Sequence, residues 1–276
     1  MLKEYEFKDR VMGTDFVVSL VSQTEEAATS GYNQAIGIAR AYENRFSRFI
    51  IDSELSTLNE NKDLFVSDIF WQVFSVAENL YKETNAVFNP LLQISSLGYN
   101  KSFNDMEKHL EVNPEVCYDA SWDNIYFDKK QKRICLGPQQ KLDFGGFLKG
   151  YVAEEIANTL KYYFTGIIIN IGGDIFTYGE DENNMPFTFS VFNPITQKDF
   201  GHILLKNESV ATSGTYKRKW FVSGKEVTHI LDTKKLDNPD TDLISATVIA
   251  PHGCLAEAYA TVSICLGKSA AMQLLE

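Results

Sequence analysis

Apolar residues recur along this chain in two rhythms, broken by stretches with neither. Near the N-terminus Phe16, Val18 and Leu20 alternate with other residues, the period of a half-buried strand. With a turn near Met12-Gly13-Thr14, residues 4–21 read as a β-hairpin. Over 24–49 the step lengthens to three and four: Ala28, Tyr32, Ala35, Ala39, Tyr42, Phe46 and Phe49 form one apolar stripe, predicting a long helix. Asp52-Ser53-Glu54-Leu55-Ser56 reads as a polar cap and a short helix. A third helix is predicted at 67–83, with Phe70, Val73, Phe74, Ala77 and Tyr81 on one face.

Residues 85–122 carry little periodicity and contain Asn89-Pro90 and Asn113-Pro114; they read as an irregular excursion with a short helix near 104–111. Two paired strands follow around 124–136, then a helix over 146–163. Strands are predicted at 166–171, 187–193, 200–206, 219–223, 227–231 and 243–250, and helices at 254–266 and 268–275. Helices and strands in separated runs argue for an α+β fold and against a doubly wound sheet. With no Pro/Gly/Ser linker in 1–276, the chain is expected to form a single domain with lobes.

Composition narrows the function. The 276 residues carry a net charge of −11, which disfavours a nucleic-acid or anionic-membrane binder but leaves room for one phosphate-bearing ligand held by a local cation. Cys117, Cys135, Cys254 and Cys265 form no C-x-x-C pair, so they read as free, mostly buried thiols. The N-terminus, Met1-Leu2-Lys3-Glu4-Tyr5-Glu6, lacks an apolar core, so no signal peptide is read. No apolar run approaches the roughly 18 residues of a membrane helix, so the chain reads as soluble as written, and the sequence leaves its cellular localisation unknown.

Two glycine pairs stand out. Asp143-Phe144-Gly145-Gly146-Phe147-Leu148-Lys149-Gly150 opens the helix over 146–163, and Asn170-Ile171-Gly172-Gly173-Asp174 closes an apolar strand. Paired glycines admit a ligand close to the backbone, and a helix N-terminus favours phosphate. For the first pair the plain alternative is a tight turn, with Asp143 as N-cap and Lys149 in solvent. For the second it is a bulge or hairpin turn. Neither pair has dinucleotide-fingerprint or P-loop spacing. Ala211-Thr212-Ser213-Gly214-Thr215-Tyr216-Lys217-Arg218 reads either as a solvated loop or as a phosphate or ribose contact. His229, in a short strand over 228–232, is either structural or a base. Glu257 and Thr261 share a helix face, giving two hard oxygens suited to Mg²⁺, or simply an exposed pair.

Taken in order, these segments resemble the ApbE family, the FAD:protein FMN transferases. The resemblance runs from Met12-Gly13-Thr14 through Phe46-Ser47-Arg48-Phe49, Asp52–Asn59, Thr84-Asn85-Ala86-Val87-Phe88-Asn89-Pro90 and Leu97-Gly98-Tyr99. It continues through Asp143–Tyr151, Asn170–Asp174, Ala211–Gly214, His229-Ile230-Leu231-Asp232 and Ala256–Thr261, with an apolar continuation to Gly267. Glu257 and Asn89 stand where the family usually has Asp, and Asp232-Thr233 where Asp-Pro is common.

The resemblance implies an ApbE-like, T-fold-related architecture of mixed, largely antiparallel sheets with packed helices. It implies FAD contacts at Met12, Phe49, Gly98, Asp143, Lys149 and Ile230, with Gly172, Gly173, Asp174 and Ser213 in the same binding set. It implies Mg²⁺ ligands at the Gly146 carbonyl, Glu257 and Thr261, and a general base at His229. The implied reaction moves FMN from FAD to a Thr or Ser hydroxyl of an acceptor flavoprotein, such as a membrane redox-complex subunit, and releases AMP. Two alternatives share the site: a Mg²⁺-dependent FAD pyrophosphatase and a non-catalytic flavin-binding protein. Family members are often exported and membrane-anchored.

Overall fold

A computed structural model of the chain describes residues 1–99, 109–110, 119–233, 235 and 237–275. In chain order the elements are β1 (Lys3–Val11), β2 (Thr14–Ser22), α1 (Glu25–Phe46), α2 (Glu54–Asn61), β3 (Asp63–Phe65), α3 (Asp68–Glu83), β4 (His109–Leu110), β5 (Tyr126–Asp128) and β6 (Arg133–Cys135). Next come α4 (Leu148–Leu160), β7 (Gly166–Ile171), β8 (Asp174–Gly179), β9 (Phe187–Asn193), β10 (Lys198–Leu205) and β11 (Ser209–Gly214). The chain closes with β12 (Lys219–Val222), β13 (Lys225–Thr228), β14 (Ser245–Ala250), α5 (Gly253–Leu266) and α6 (Lys268–Leu275). It divides into two compact units, one of Met1–Glu43, Phe147–Ser213 and Ser245–Ala260, the other of Asn44–Gly146, Gly214–Ile244 and Thr261–Glu276.

The first unit is built on a six-stranded sheet in the order β1-β2-β7-β8-β11-β14. Its hairpins explain its shape. In β1–β2, Val11 faces Thr14 across a two-residue loop in which Met12 and Gly13 both take positive φ, 52° and 70°. That left-handed pair matches the right-handed twist of the strands it joins. The β7–β8 hairpin repeats the device: Ile171 faces Asp174, and Gly172 and Gly173 have φ of 68° and 102°. Phe16, Val18 and Leu20 of β2 and Ile167, Ile169 and Ile171 of β7 are buried, the alternation the sequence predicts. Helix α4 packs on β7 and β8 through Val152, Ile156 and Leu160.

In this unit α4 and the start of α5 touch backbone to backbone. A Cβ on Gly150 would lie 2.1 Å from the Gly253 carbonyl oxygen, and one on Gly253 would lie 1.9 Å from that of Gly150. Glu154 of α4 secures the crossing by accepting from Gly253 N at 3.0 Å, a carboxylate at the positive end of α5.

The second unit has an aromatic core. Phe46 stacks on Phe70, and Phe144 meets both edge-on or tilted; Phe74 packs against Trp122 and Phe127. Helices α2 and α3 begin at serine caps, Ser53 accepting from Ser56 N at 3.0 Å and Ser67 from Phe70 N at 3.2 Å. Two small sheets, β3-β6-β5 and β13-β12-β4, complete it. A satellite core of Leu97, Tyr99, Trp220, Val222, Val227 and Leu231 sits on the second of these.

Several elements differ from the sequence reading. The long helix ends at Phe46, so Phe49 leaves the stripe and is 47% exposed. Residues 109–110 are a strand where a helix was predicted near 104–111; the rest of that prediction, and Cys117, lie outside the described residues. Cys135, Cys254 and Cys265 are free as expected but only half-buried. Strand β8 has no counterpart among the predictions, because the polar Thr177 that breaks its apolar rhythm is buried and bonded to Glu208. The first half of the hydroxyl-rich loop at 211–218 is strand β11, and the strand expected over 227–231 ends at Thr228.

The glycine crossing yields a paired prediction. Gly150→Ala should cost about 1–3 kcal/mol, since a backbone carbonyl cannot move aside as a side chain can. Gly37→Ala in α1, where an added Cβ meets nothing within 4 Å, should instead stabilise by about 0.5–1 kcal/mol. Urea unfolding of both variants checks this; a Gly150→Ala midpoint equal to wild type would contradict the crossing.

Candidate functional site

Three charged side chains meet in the first unit. The Lys149 ammonium, on the first turn of α4, contacts the carboxylates of both Asp174 at the start of β8 and Glu257 on α5. Glu257 Oε2 also accepts from Gly150 N at 2.9 Å. That amide lies in the first turn of α4, where no intrahelical acceptor exists. Phe147 precedes the helix without a side-chain cap, so Glu257 supplies it from a different helix. The crossing of Gly150 and Gly253 is what brings α5 close enough. Glu257 is only 4% exposed, so it is not the exposed acid of the plain reading, and Asp174 beside it is 6% exposed. Lys149, 17% exposed, is not in solvent.

The electrostatics follow from one ammonium shared by two buried carboxylates. Burial and the neighbouring Asp174 push the Glu257 carboxyl well above the usual range, although Lys149 and the Gly150 amide pull the other way. Burial alone would lower the Lys149 ammonium, but Asp174 and Glu257 more than offset it and hold it above the usual lysine range. With both acids ionised the cluster has an uncompensated negative charge in a poorly solvated place, which favours a second cation.

Around this cluster the sheet gathers other predicted residues at one end. Gly172 N donates to Asp15 O at 2.9 Å, so the Gly172-Gly173 turn sits against the start of β2, next to the Met12-Gly13 turn. Met12 is half-buried. Gly173 N donates to Asn170 Oδ1 at 2.8 Å. The hairpin-turn reading of this pair therefore holds, and the turn lies directly before Asp174. Ser209 and Val210 of β11 face Phe176 and Ile175, so the strand continues past Asp174 toward Ser213 at the same end.

The second unit holds the other predicted residues. Asp143 is not an N-cap, because α4 starts only at Leu148; its carboxylate instead accepts from Gly145 N at 2.9 Å and pairs with Arg48 at 3.1 Å. Gly146, in the turn that follows, packs against Phe88. Arg48 also donates to the Tyr99 carbonyl at 2.8 Å and lies over the Phe49 ring at 4.4 Å. Gly98 adopts the left-handed conformation just after a 3-10 turn, and Trp220 donates to the Leu97 carbonyl at 2.8 Å. Phe49, Gly98 and Asp143 are thus joined through Arg48 and Tyr99. His229, half-buried, and Ile230, buried, follow β13. Thr261 lies one turn beyond Glu257 along α5.

Arg48 and Tyr99 enter the sequence reading only inside family-like segments, with no role of their own, and Trp220 does not enter it. A cation beside the exposed ring in Phe46-Ser47-Arg48-Phe49 is the signal that marks the first; Trp220 had none, since its partner is a distant backbone carbonyl.

Comparison with known proteins places this architecture. The profile of the ApbE family matches residues 12–276. The chain is 24% identical over 279 residues to the FAD:protein FMN transferase of Klebsiella pneumoniae, covering 95% of this chain and 83% of that protein. It is 25% identical over 290 residues to the FAD:protein FMN transferase of Haemophilus influenzae, covering 97% and 82%. The ApbE protein of Thermotoga maritima superposes with a TM-score of 0.85 at 23% identity, over 96% of this chain and 87% of that one. The apo flavinyl transferase ApbE of Pseudomonas stutzeri does so at 0.84 and 19% identity, over 100% and 88%. The predicted α+β, ApbE-like fold is borne out.

The buried cluster makes stability depend on pH. Folded Glu257 holds its proton more tightly than the unfolded chain does, so stability falls as pH rises above the group's ordinary 4.5. Lys149 contributes stability that is complete below its ordinary 10.5 and lost at higher pH. Urea unfolding without divalent cations, from about pH 5 to about pH 8, should show the wild type losing stability relative to Glu257→Gln. Parallel curves would remove the charge excess from the account.

Proposed function

This chain belongs to the ApbE family, and from that premise we propose that it transfers the FMN moiety of FAD to a Thr or Ser hydroxyl of an acceptor protein, releasing AMP. The observation that carries the reading is the Lys149–Asp174–Glu257 cluster, at the sheet end where the Met12-Gly13 and Gly172-Gly173 turns lie. Within the first unit, Ser213 would supply a further FAD contact.

The residues present fit a magnesium-type cation. Among the described residues no group of three His, Cys, Asp or Glu gathers. Mg²⁺ is usually held by one or two carboxylates, with water and substrate phosphate completing its shell. Of the ligands that the resemblance implies, Glu257 is the one that the buried negative excess supports. The chemistry such an ion supplies when bound is neutralisation of charge on the diphosphate. Lys149 offers a permanent cation to the same anionic substrate.

His229 accepts the proton of the acceptor hydroxyl. The freed oxygen bonds to the FMN-side phosphorus as the bond from that phosphorus to the AMP oxygen breaks, and AMP leaves with the electron pair. The product is FMN in phosphoester linkage. The acceptor in this reading is a flavoprotein, such as a subunit of a membrane redox complex. No helix among the described residues is long and apolar enough to cross a membrane.

Incubation with FAD, Mg²⁺ and an acceptor peptide should give a mass gain equal to FMN less one water, the mark of the phosphoester, and chelation should abolish it. AMP released without an acceptor would mark a pyrophosphatase instead, and tight FAD binding with neither product would mark a flavin carrier. His229→Ala should keep FAD affinity and lose transfer by about 10²–10⁴-fold; wild-type rates in that variant would sink the base assignment.

A further inference from the structure

His229 lies past the last residue of β13, where ladder bonds no longer hold the backbone. One side chain from further along the chain takes over. Asn238 Oδ1 accepts from Thr228 N at 3.0 Å. Its Nδ2 donates to Thr228 Oγ1 and to the Ile230 carbonyl, both at 2.8 Å, with the Thr228 carbonyl at 3.1 Å. The residues immediately before and after His229 are therefore held by a single carboxamide. Its orientation is determined: flipped, the NH₂ would face an N–H and the oxygen would face two carbonyls.

Asn238 is itself anchored. Its backbone N donates to Asp237 Oδ1 at 2.7 Å, and the Asp237 carbonyl accepts from Asp232 N at 2.7 Å. The Asp237 carboxylate pairs with Lys225 on β13, closing the loop onto the strand that leads into His229. On the other side Ile230, 2% exposed, and Leu231 are fixed in the core. All these groups belong to the second unit.

We propose that Asn238 is the positioning residue for His229 in the transfer reaction, setting the imidazole by clamping Thr228 and Ile230. This rests on His229 acting as the base. A base must reach its proton with sub-ångström accuracy, and a displacement of about 1 Å costs about 100-fold in rate. Without the carboxamide, Thr228 N and the Ile230 carbonyl lose their partner and the segment is free to shift.

The test is a double-mutant cycle of Asn238→Ala and His229→Ala, read as kcat for FMN transfer beside FAD affinity and the thermal midpoint. Asn238→Ala should lower kcat by about 10- to 100-fold with FAD affinity within about twofold of wild type. The double variant should be no slower than His229→Ala alone, because a base that is absent cannot be misplaced. Asn238→Asp, which keeps the acceptor for Thr228 N and sets a carboxylate against the Ile230 carbonyl, should lose kcat similarly and serves if the alanine variant does not fold. A slow His229→Ala with wild-type kcat in the Asn238 variants overturns the positioning role alone. So does a double variant slowed again by the full Asn238→Ala factor. Wild-type kcat in His229→Ala overturns the base reading and this proposal with it.

Discussion

Everything chemical in the first unit depends on two helices meeting without side chains between them. Gly150 and Gly253 approach so closely that each leaves no room for a methyl group on the other. Only at that separation does the Glu257 carboxylate reach the Gly150 amide and the Lys149 ammonium together. One contact thus does two jobs. It satisfies an amide that α4 cannot satisfy internally, and it presents a carboxylate beside Asp174. Any residue larger than glycine at either position would separate the helices and dissolve the cluster.

The cluster is an unusual use of burial. A buried ion pair normally balances its charge, because an unpaired ion in a poorly hydrated place is costly. Here one lysine serves two acids, and the imbalance is tolerated in part because Glu257 yields toward its protonated form. An anionic diphosphate alone would aggravate the imbalance; a dication relieves it. In the proposed reaction, the charge arithmetic of these three side chains would link a dication and the diphosphate in one requirement. Arg48 plays a complementary part in the second unit, where its single guanidinium ties an acid, a backbone carbonyl and an aromatic ring together.

Much of this was legible in the residues, unevenly. Period-two and period-3.6 stripes located the first hairpin and helices α1 and α3 to within a few residues, since local pattern and tertiary burial agree there. Strand β8 escaped notice because its buried threonine reads as polar until its partner, the Glu208 carbonyl, is known. Asp143 looked like a helix cap because an acid before a glycine-rich helix start usually is one; here the helix begins later and the acid turns to Arg48. For Lys149 and Glu257 the residues alone left a solvent-exposed reading open beside the functional one, because their partners come from distant parts of the chain. Asn238 gave no signal at all. A polar residue in a polar loop is unremarked until the backbone it grips is in view.

Both units are assembled from three separated stretches. Strand β2 must wait for β7, as Phe16 waits for Ile171, before its second edge is paired. During synthesis the ribosome therefore releases an N-terminal hairpin with an open, apolar border well before its neighbour exists. Such borders invite pairing with other chains. The helix carrying Glu257 emerges later still, so the charged cluster closes only once Gly253–Leu266 has been made, and a product cut short before it would carry the sheet without the chemistry.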